Sequence, residues 1–327
     1  MLTRREVMMA IGAGALLPRA ALAQQTGKIP RIGFLSVLGA PATAARVEAF
    51  RRGLKDLGWQ EGKNIVVEYR YADVNPARLQ ALITELSGLK LDVIVSTGPT
   101  TTTALKPAAT VTPIVMGFDN DPVGAGLIAS LAKPGGNITG LSGLSPELSG
   151  KQLELLKETI PSLSTVTVLG SSTASGNAQA LSAVERAAAA LRISVRFANM
   201  RNLDELGTAV REAAKTRTGA FLVLASPAGT NYRKELIERI SKSRTPAMYY
   251  TSEFVDEGGL MTYGVNIADM FRRSAGFVDR ILKGAKPGDM PVEQPVKFDF
   301  VINLKTAKAL GLKVPATILL QATRVIE

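Results

Sequence analysis

One order of elements, strand, helix, strand, helix, strand, occurs twice in this chain, the copies offset by 128 to 135 residues. In the first copy the apolar run 31-RIGFLSV-37 precedes 43-TAARVEAFRRGLKDLGW-59, where Val47, Phe50, Leu54 and Leu57 recur at three- and four-residue steps. That spacing predicts an amphipathic helix closed by Gly58. A strand of period two, 65-IVVEYRYA-72, follows, and Asn75-Pro76 opens a second helix bearing Leu79, Leu82, Ile83 and Leu86 on one face. The continuous apolar run 91-LDVIVSTG-98 fits a strand buried on both faces. The second copy reads 165-TVTVLGSS-172, 177-NAQALSAVERAAAALR-192, 193-ISVRFANM-200, 203-LDELGTAVREAAKTR-217 and 219-GAFLVLAS-226. A period this long marks duplication of a domain rather than a solenoid. The expected fold is therefore α/β: two similar doubly wound parallel-sheet lobes joined by a hinge.

Length agrees, since 327 residues exceed what one hydrophobic core usually serves. The chain has no cysteine and no histidine. Disulfides, thiol nucleophiles, Ser-His-Asp triads and His-bearing zinc sites are thereby excluded. No carboxylate or lysine spacing singles out an acid-base pair, so no catalytic residue, metal ligand or cofactor is assigned, and a binding protein is expected over an enzyme.

The start, MLTRREVMMAIGAGALLPRAALAQ, joins Arg4-Arg5 to an apolar stretch ending before Ala21-Leu22-Ala23. This is the pattern of an export signal, twin-arginine-like over residues 1–23 and cleaved after about Ala23. The stretch is too short for the roughly 20 residues of a spanning helix. Losing Arg4, Arg5, Arg19 and Glu6 would take the formal charge from +11 to +9. The basic residues are scattered and aromatics make up 5% of the chain. Neither the charge stripe nor the stacking platform of a nucleic-acid binder is present.

In open α/β sheets, ligands sit beyond the carboxyl ends of the strands, near the topological switch. Those ends supply Ser36, Thr97, Gly98, Thr100 and Asp119 from the first copy, and Ser171, Thr173, Ser226 and Glu253 from the second. The run 96-STGPTTTTALK-106 is the most suggestive: Gly98-Pro99 breaks the strand, and Thr100 or Thr101 is placed to cap a helix whose amides suit a carboxylate. Asp119 and Glu253 could meet an ammonium group. Asp121-Pro122 reads as the cap of a helix running to Lys133. The aromatics Tyr249, Tyr250, Phe254 and Tyr263 fit core packing by default, with stacking on an aromatic ligand as the sharper reading; Tyr263 joins the candidate ligand residues. The strand 138-ITGLS-142 is expected to cross into the second lobe, and 259-GLMTYG-264 to cross back. That division gives a first lobe of residues 28–138 plus about 264–286, and a second of 139–263 plus about 287–327.

The stretches DPVGAGLIASLAKPGGNITGLS, KQLELLKETIP, DEGGLMTYG and FDFVINLKTAKALGLKVP resemble the ABC-transporter substrate-binding proteins with the type I periplasmic-binding-protein fold, relatives linked to aromatic amino acids. The likeness covers nearly the whole chain after the export signal. It implies a periplasmic monomer that captures a small carboxylate-bearing solute, such as an amino acid, by hinge closure and delivers it to a membrane permease. A sensor presenting its solute to a membrane receptor would look nearly the same. Phe118-Asp119-Asn120 is bulkier and more acidic than the small residue or Thr that relatives often carry before DPVGAG. A repressor of similar fold would need a helix-turn-helix where this chain has its export signal.

Overall fold

The computed structural model describes residues 28–143, 145–216 and 218–327; the export signal expected over residues 1–23 lies outside the described residues. The first lobe runs β1 (Arg31–Ser36), α1 (Ala40–Asp56), β2 (Val66–Tyr71), α2 (Pro76–Gly88), β3 (Val93–Ser96), α3 (Pro99–Leu105), β4 (Ile114–Asp119) and β5 (Ile138–Ser142). The chain continues with α4 (Ser145–Thr159), β6 (Thr165–Gly170), α5 (Asn177–Leu191), β7 (Ser194–Asn199), α6 (Leu203–Lys215), β8 (Ala220–Val223), α7 (Pro227–Asn231), α8 (Arg233–Lys242), β9 (Ala247–Tyr249), α9 (Ser252–Asp256) and β10 (Met261–Val265). After α10 (Ile267–Leu282) come β11 (Phe298–Asn303), α11 (Leu304–Ala309), α12 (Ala316–Gln321) and β12 (Arg324–Ile326).

The first sheet has the order β2-β1-β3-β4-β5, the second β12-β11-β10-β9-β8-β6-β7. Both are parallel except at the β10–β11 pair, which is antiparallel. Alternation assigns each central strand to two cores. Ile32, Phe34, Val93 and Val95 pack under α1 and α10, while Leu35, Ile94, Ile114 and Met116 pack over α2. Where helices were expected to start, capping is visible: Asn75 Oδ1 accepts from the Arg78 amide at 3.0 Å ahead of Pro76, and Asn202 Oδ1 accepts from Glu205 at 2.9 Å.

Three expectations change. Strand 138–142 is an edge strand of the first sheet, paired with β4, rather than the crossover. Gly140, at φ +128°, lets it lie close: a Cβ there would stand 2.3 Å from the Met116 carbonyl oxygen. Likewise Met261–Val265 is a full strand of the second sheet, so the chain changes lobes between β5 and α4, at 266 and again at 294–297. Residues 287–293, expected in the second lobe, stay on the first, where the Met290 carbonyl accepts from Thr139 Oγ1 at 2.8 Å and Glu293 bridges Leu141.

The third change concerns 121–133, which is turn and bend rather than helix. Asp121 does cap, its Oδ1 accepting from the Gly124 amide at 2.8 Å. Gly126 at φ +65° then leaves the helical region and the turn does not propagate. The return helix α10 closes the first lobe against α1 at short range, because Gly53 leaves room for the Arg272 carbonyl.

Candidate functional site

The carboxyl ends of the two sheets face one another across a cavity of about 80 Å³. From the first lobe it is walled by Val37 and Leu38 beyond β1, Thr97 to Thr100 beyond β3, Phe118 and Asn120 at the end of β4, and Arg46 from α1. The second lobe contributes Ala174 and Ser175 beyond β6, Ala225 to Pro227 beyond β8, Thr230 of α7, and Tyr250 and Thr251 beyond β9. Val265 and Ile267, flanking the 266 crossover, complete the wall.

The lobes touch around this space. The Gly39 amide donates to Asn231 Oδ1 at 2.8 Å, and Asn120 Nδ2 donates to the Ser175 carbonyl at 3.1 Å. Arg46, 6% exposed, faces Glu253 Oε2 at 3.7 Å across the cleft. Arg233 sits 3.7 Å from the same oxygen and 2.5 Å from Glu257. Four charges thus meet in pairs at the cavity edge.

Thr97, Gly98, Thr100 and Ser226 line the cavity as their strand-end positions suggest. Ser226 also caps α7, accepting from the Gly229 amide at 3.0 Å. Neither Thr100 nor Thr101 caps α3: Gly98 holds that position without a side-chain bond, and Thr101 Oγ1 instead accepts from the Val37 amide at 3.2 Å.

The other six candidates do not line it. Ser36 is held by Thr43 at 3.2 Å and by the Leu38 amide at 3.0 Å, shaping the β1 turn. Ser171 and Thr173 bond each other at 3.0 Å, leaving the wall to Ala174 and Ser175. Glu253 is engaged by Arg46 and Arg233 outside the wall. Tyr263 packs against Phe298 and Phe300 of β11.

Asp119 is fully buried behind Phe118 and Asn120. Burial pushes its carboxyl up to about 7, opposed by the Thr102 hydroxyl and the amides of Asn120 and Asp121. None of these closes a well-formed hydrogen bond, and both carboxylate oxygens are left without a partner.

Sequence reasoning passed over Arg46, although a cation among the buried positions Thr43, Val47, Phe50 and Leu54 of an amphipathic helix is a detectable signal. Tyr250 packs as the core reading expects, its ring meeting Phe254 edge-on at 4.9 Å, while it also lines the cavity and its hydroxyl reaches Thr230 Oγ1 at 2.7 Å. Burial raises that phenol to about 12, so it is neutral at physiological pH.

Four lining residues carry a sealed polar atom with no hydrogen-bond partner: Arg46 Nε, Thr97 Oγ1, Asn120 Oδ1 and Thr251 Oγ1. Native proteins rarely leave such atoms unpaired, and a cluster of them around one cavity is what a polar ligand would complete. The set offers a cationic donor, an amide acceptor held in place by the Asn120–Ser175 bond, and two hydroxyls of either sense. Among the described residues, no group of three or more acidic side chains is placed to hold a metal ion.

Comparison with known proteins agrees with this architecture. A family description for ABC transporter substrate binding proteins matches residues 31–326. A tyrosine-binding protein of Clostridioides difficile (strain R20291) is 26% identical over 291 residues, spanning 88% of this chain and 82% of that protein. The crystal structure of a conserved domain protein from Vibrio cholerae superposes with a TM-score of 0.85 at 28% identity, covering 91% of this chain and 100% of that one. An ABC domain from Streptococcus pneumoniae, solved in complex with L-Trp, gives 0.82 at 24% identity over 90% and 100%.

Proposed function

This chain belongs to the ABC transporter substrate binding protein family, and we propose that it captures a free amino acid between its lobes outside the cytoplasm and hands it to a membrane permease. The observation that carries the reading is the ring of unpaired polar atoms. Arg46 Nε suits the ligand carboxylate, Asn120 Oδ1 suits its ammonium, and Thr97 and Thr251 serve either group. An apolar remainder formed by Val37, Leu38, Phe118, Val265 and Ile267 suits a hydrophobic side chain. Relatives named for tyrosine and solved with L-Trp favour the aromatic amino acids. The reading assigns no chemical step: Arg46, the cationic residue of the wall, neutralises charge and closes the cleft.

The test is a thermal-shift and calorimetry screen of the chain from Gln24, unfolded and refolded to strip carried solute. The panel contains L-amino acids, their amine analogues lacking the carboxylate, and their acid analogues lacking the ammonium. At a hundred times its dissociation constant, a true ligand adds about 2.7 kcal/mol of stability. The amino acid outbinds both truncated analogues, and Arg46→Met removes the preference over the amine. A panel without any stabilising amino acid, or an Arg46→Met protein that still prefers amino acid over amine, refutes the assignment.

A further inference from the structure

We propose that the second lobe carries a distal site for a small organic acid, at the opposite end of its sheet from the cleft and independent of the reading above. The space is a cavity of about 350 Å³ beside the turn entering β9, the loop entering β10 and α11. Two stretches that carry the family resemblance, DEGGL and INLKTAKALG, meet here and not at the cleft.

The central observation is Tyr249. It is 1% exposed and stacks on Phe254 with ring centroids 4.8 Å apart. Its ring lies against Gly259, where a Cβ would come within 2.7 Å of it, so the glycine is what admits the ring. Burial raises the phenol, with no hydrogen bond among the causes, and the hydroxyl has no hydrogen bond among the described residues. The ring is enclosed while the hydroxyl opens onto the cavity, where a ligand can reach it.

Arg244 and Lys305 line the same space, both exposed and neither ion-paired among the described residues. Two cations and a phenolic donor define an anion; Leu260 and Leu310 give it an apolar body to cover. A carboxylate suits the set, because guanidinium binds it in two-pronged fashion and ammonium adds a point charge. Packing accounts for the buried ring, and the hydroxyl and the two cations, open to the cavity, are free to meet a ligand there.

Benzoate is the probe, titrated into the full chain from Gln24 and followed by saturation-transfer NMR. Wild type saturates. The exposed double variant Arg244→Gln/Lys305→Gln weakens binding about tenfold or more, about 1.4 kcal/mol. Tyr249→Phe, which keeps the stacked ring, weakens it by a smaller factor, and Thr97→Val in the cleft leaves it unchanged. Three results overturn the proposal: no saturation of wild type at millimolar benzoate; equal saturation of the double variant; or loss of binding in Thr97→Val, which would put benzoate in the cleft. Saturation by a polyglutamate peptide without any by benzoate also overturns it, since the surface then serves an acidic protein partner.

Discussion

Replacing Asp119 by Asn should stabilise this protein at alkaline pH and do nothing at acid pH. The side chain is fully buried at the end of β4, and its own carbonyl accepts from the Gly143 amide at 2.5 Å where the chain first leaves the lobe. Burial lifts the carboxyl from an ordinary 3.8 to about 7. Below pH 4 both folded and unfolded forms carry the proton, and the group contributes nothing. Between pH 4 and 7 the unfolded chain releases it while the folded chain retains it, so stability falls as pH rises. Above pH 7 the loss is complete. An imbalance spanning about three pH units at about 1.36 kcal/mol each amounts to roughly 4 kcal/mol. Asn keeps the shape, never ionises, and escapes the loss. Trp59, the single tryptophan, packs in the same lobe and donates to Asp279 at 2.9 Å, so its fluorescence follows the relevant transition. Urea denaturation of wild type and Asp119→Asn at pH 4, 6 and 8 should give curves that coincide at pH 4 and separate progressively. Coincident curves at pH 8, or a variant less stable there, would refute the argument that Asp119 is held against its charge.

Thr97→Val should raise the stability of ligand-free protein by about 1–2 kcal/mol, because it deletes a buried hydroxyl without a partner. The same change should cost about tenfold in amino-acid affinity; scanning calorimetry and isothermal titration read the two opposite signs. Gly140→Ala should destabilise the first lobe by about 3 kcal/mol or more, given φ +128° and a Cβ 2.3 Å from the Met116 carbonyl oxygen, seen as an earlier Trp59 fluorescence midpoint.

The alternation of periods made both lobes legible, because each central strand is buried on two faces and each helix on one. Strand-end reasoning also found Thr97, Gly98, Thr100 and Ser226. It failed where a polar residue spends its hydrogen bonds on its own turn, as Ser36 does with Thr43, or where an aromatic packs on its neighbours within the lobe, as Tyr263 does on Phe298 and Phe300. Arg46 escaped because it reaches the cavity from a helix, and helices were read there only for their apolar stripes. The β5 edge strand was illegible for a different reason: whether ITGLS pairs or crosses depends on the fit of Gly140 against a backbone 24 residues earlier, and no local pattern encodes that.

The position of α10 in the chain bears on how the protein is made. This helix gives the first lobe Phe271, Ala275, Phe277 and Val278 as core, yet it follows the whole duplicated unit of the second lobe. About 140 residues separate Ser142 from Leu282, which at roughly 5–20 residues per second takes a ribosome some 7–28 s. Throughout that interval one face of the first sheet, with Ile32, Phe34, Val93 and Val95, has α1 over it but lacks the part of its cover that α10 supplies. The amino-terminal lobe therefore cannot finish folding first: the second lobe is complete up to β10 while its older neighbour still waits, open to chaperones, for a helix yet to be translated.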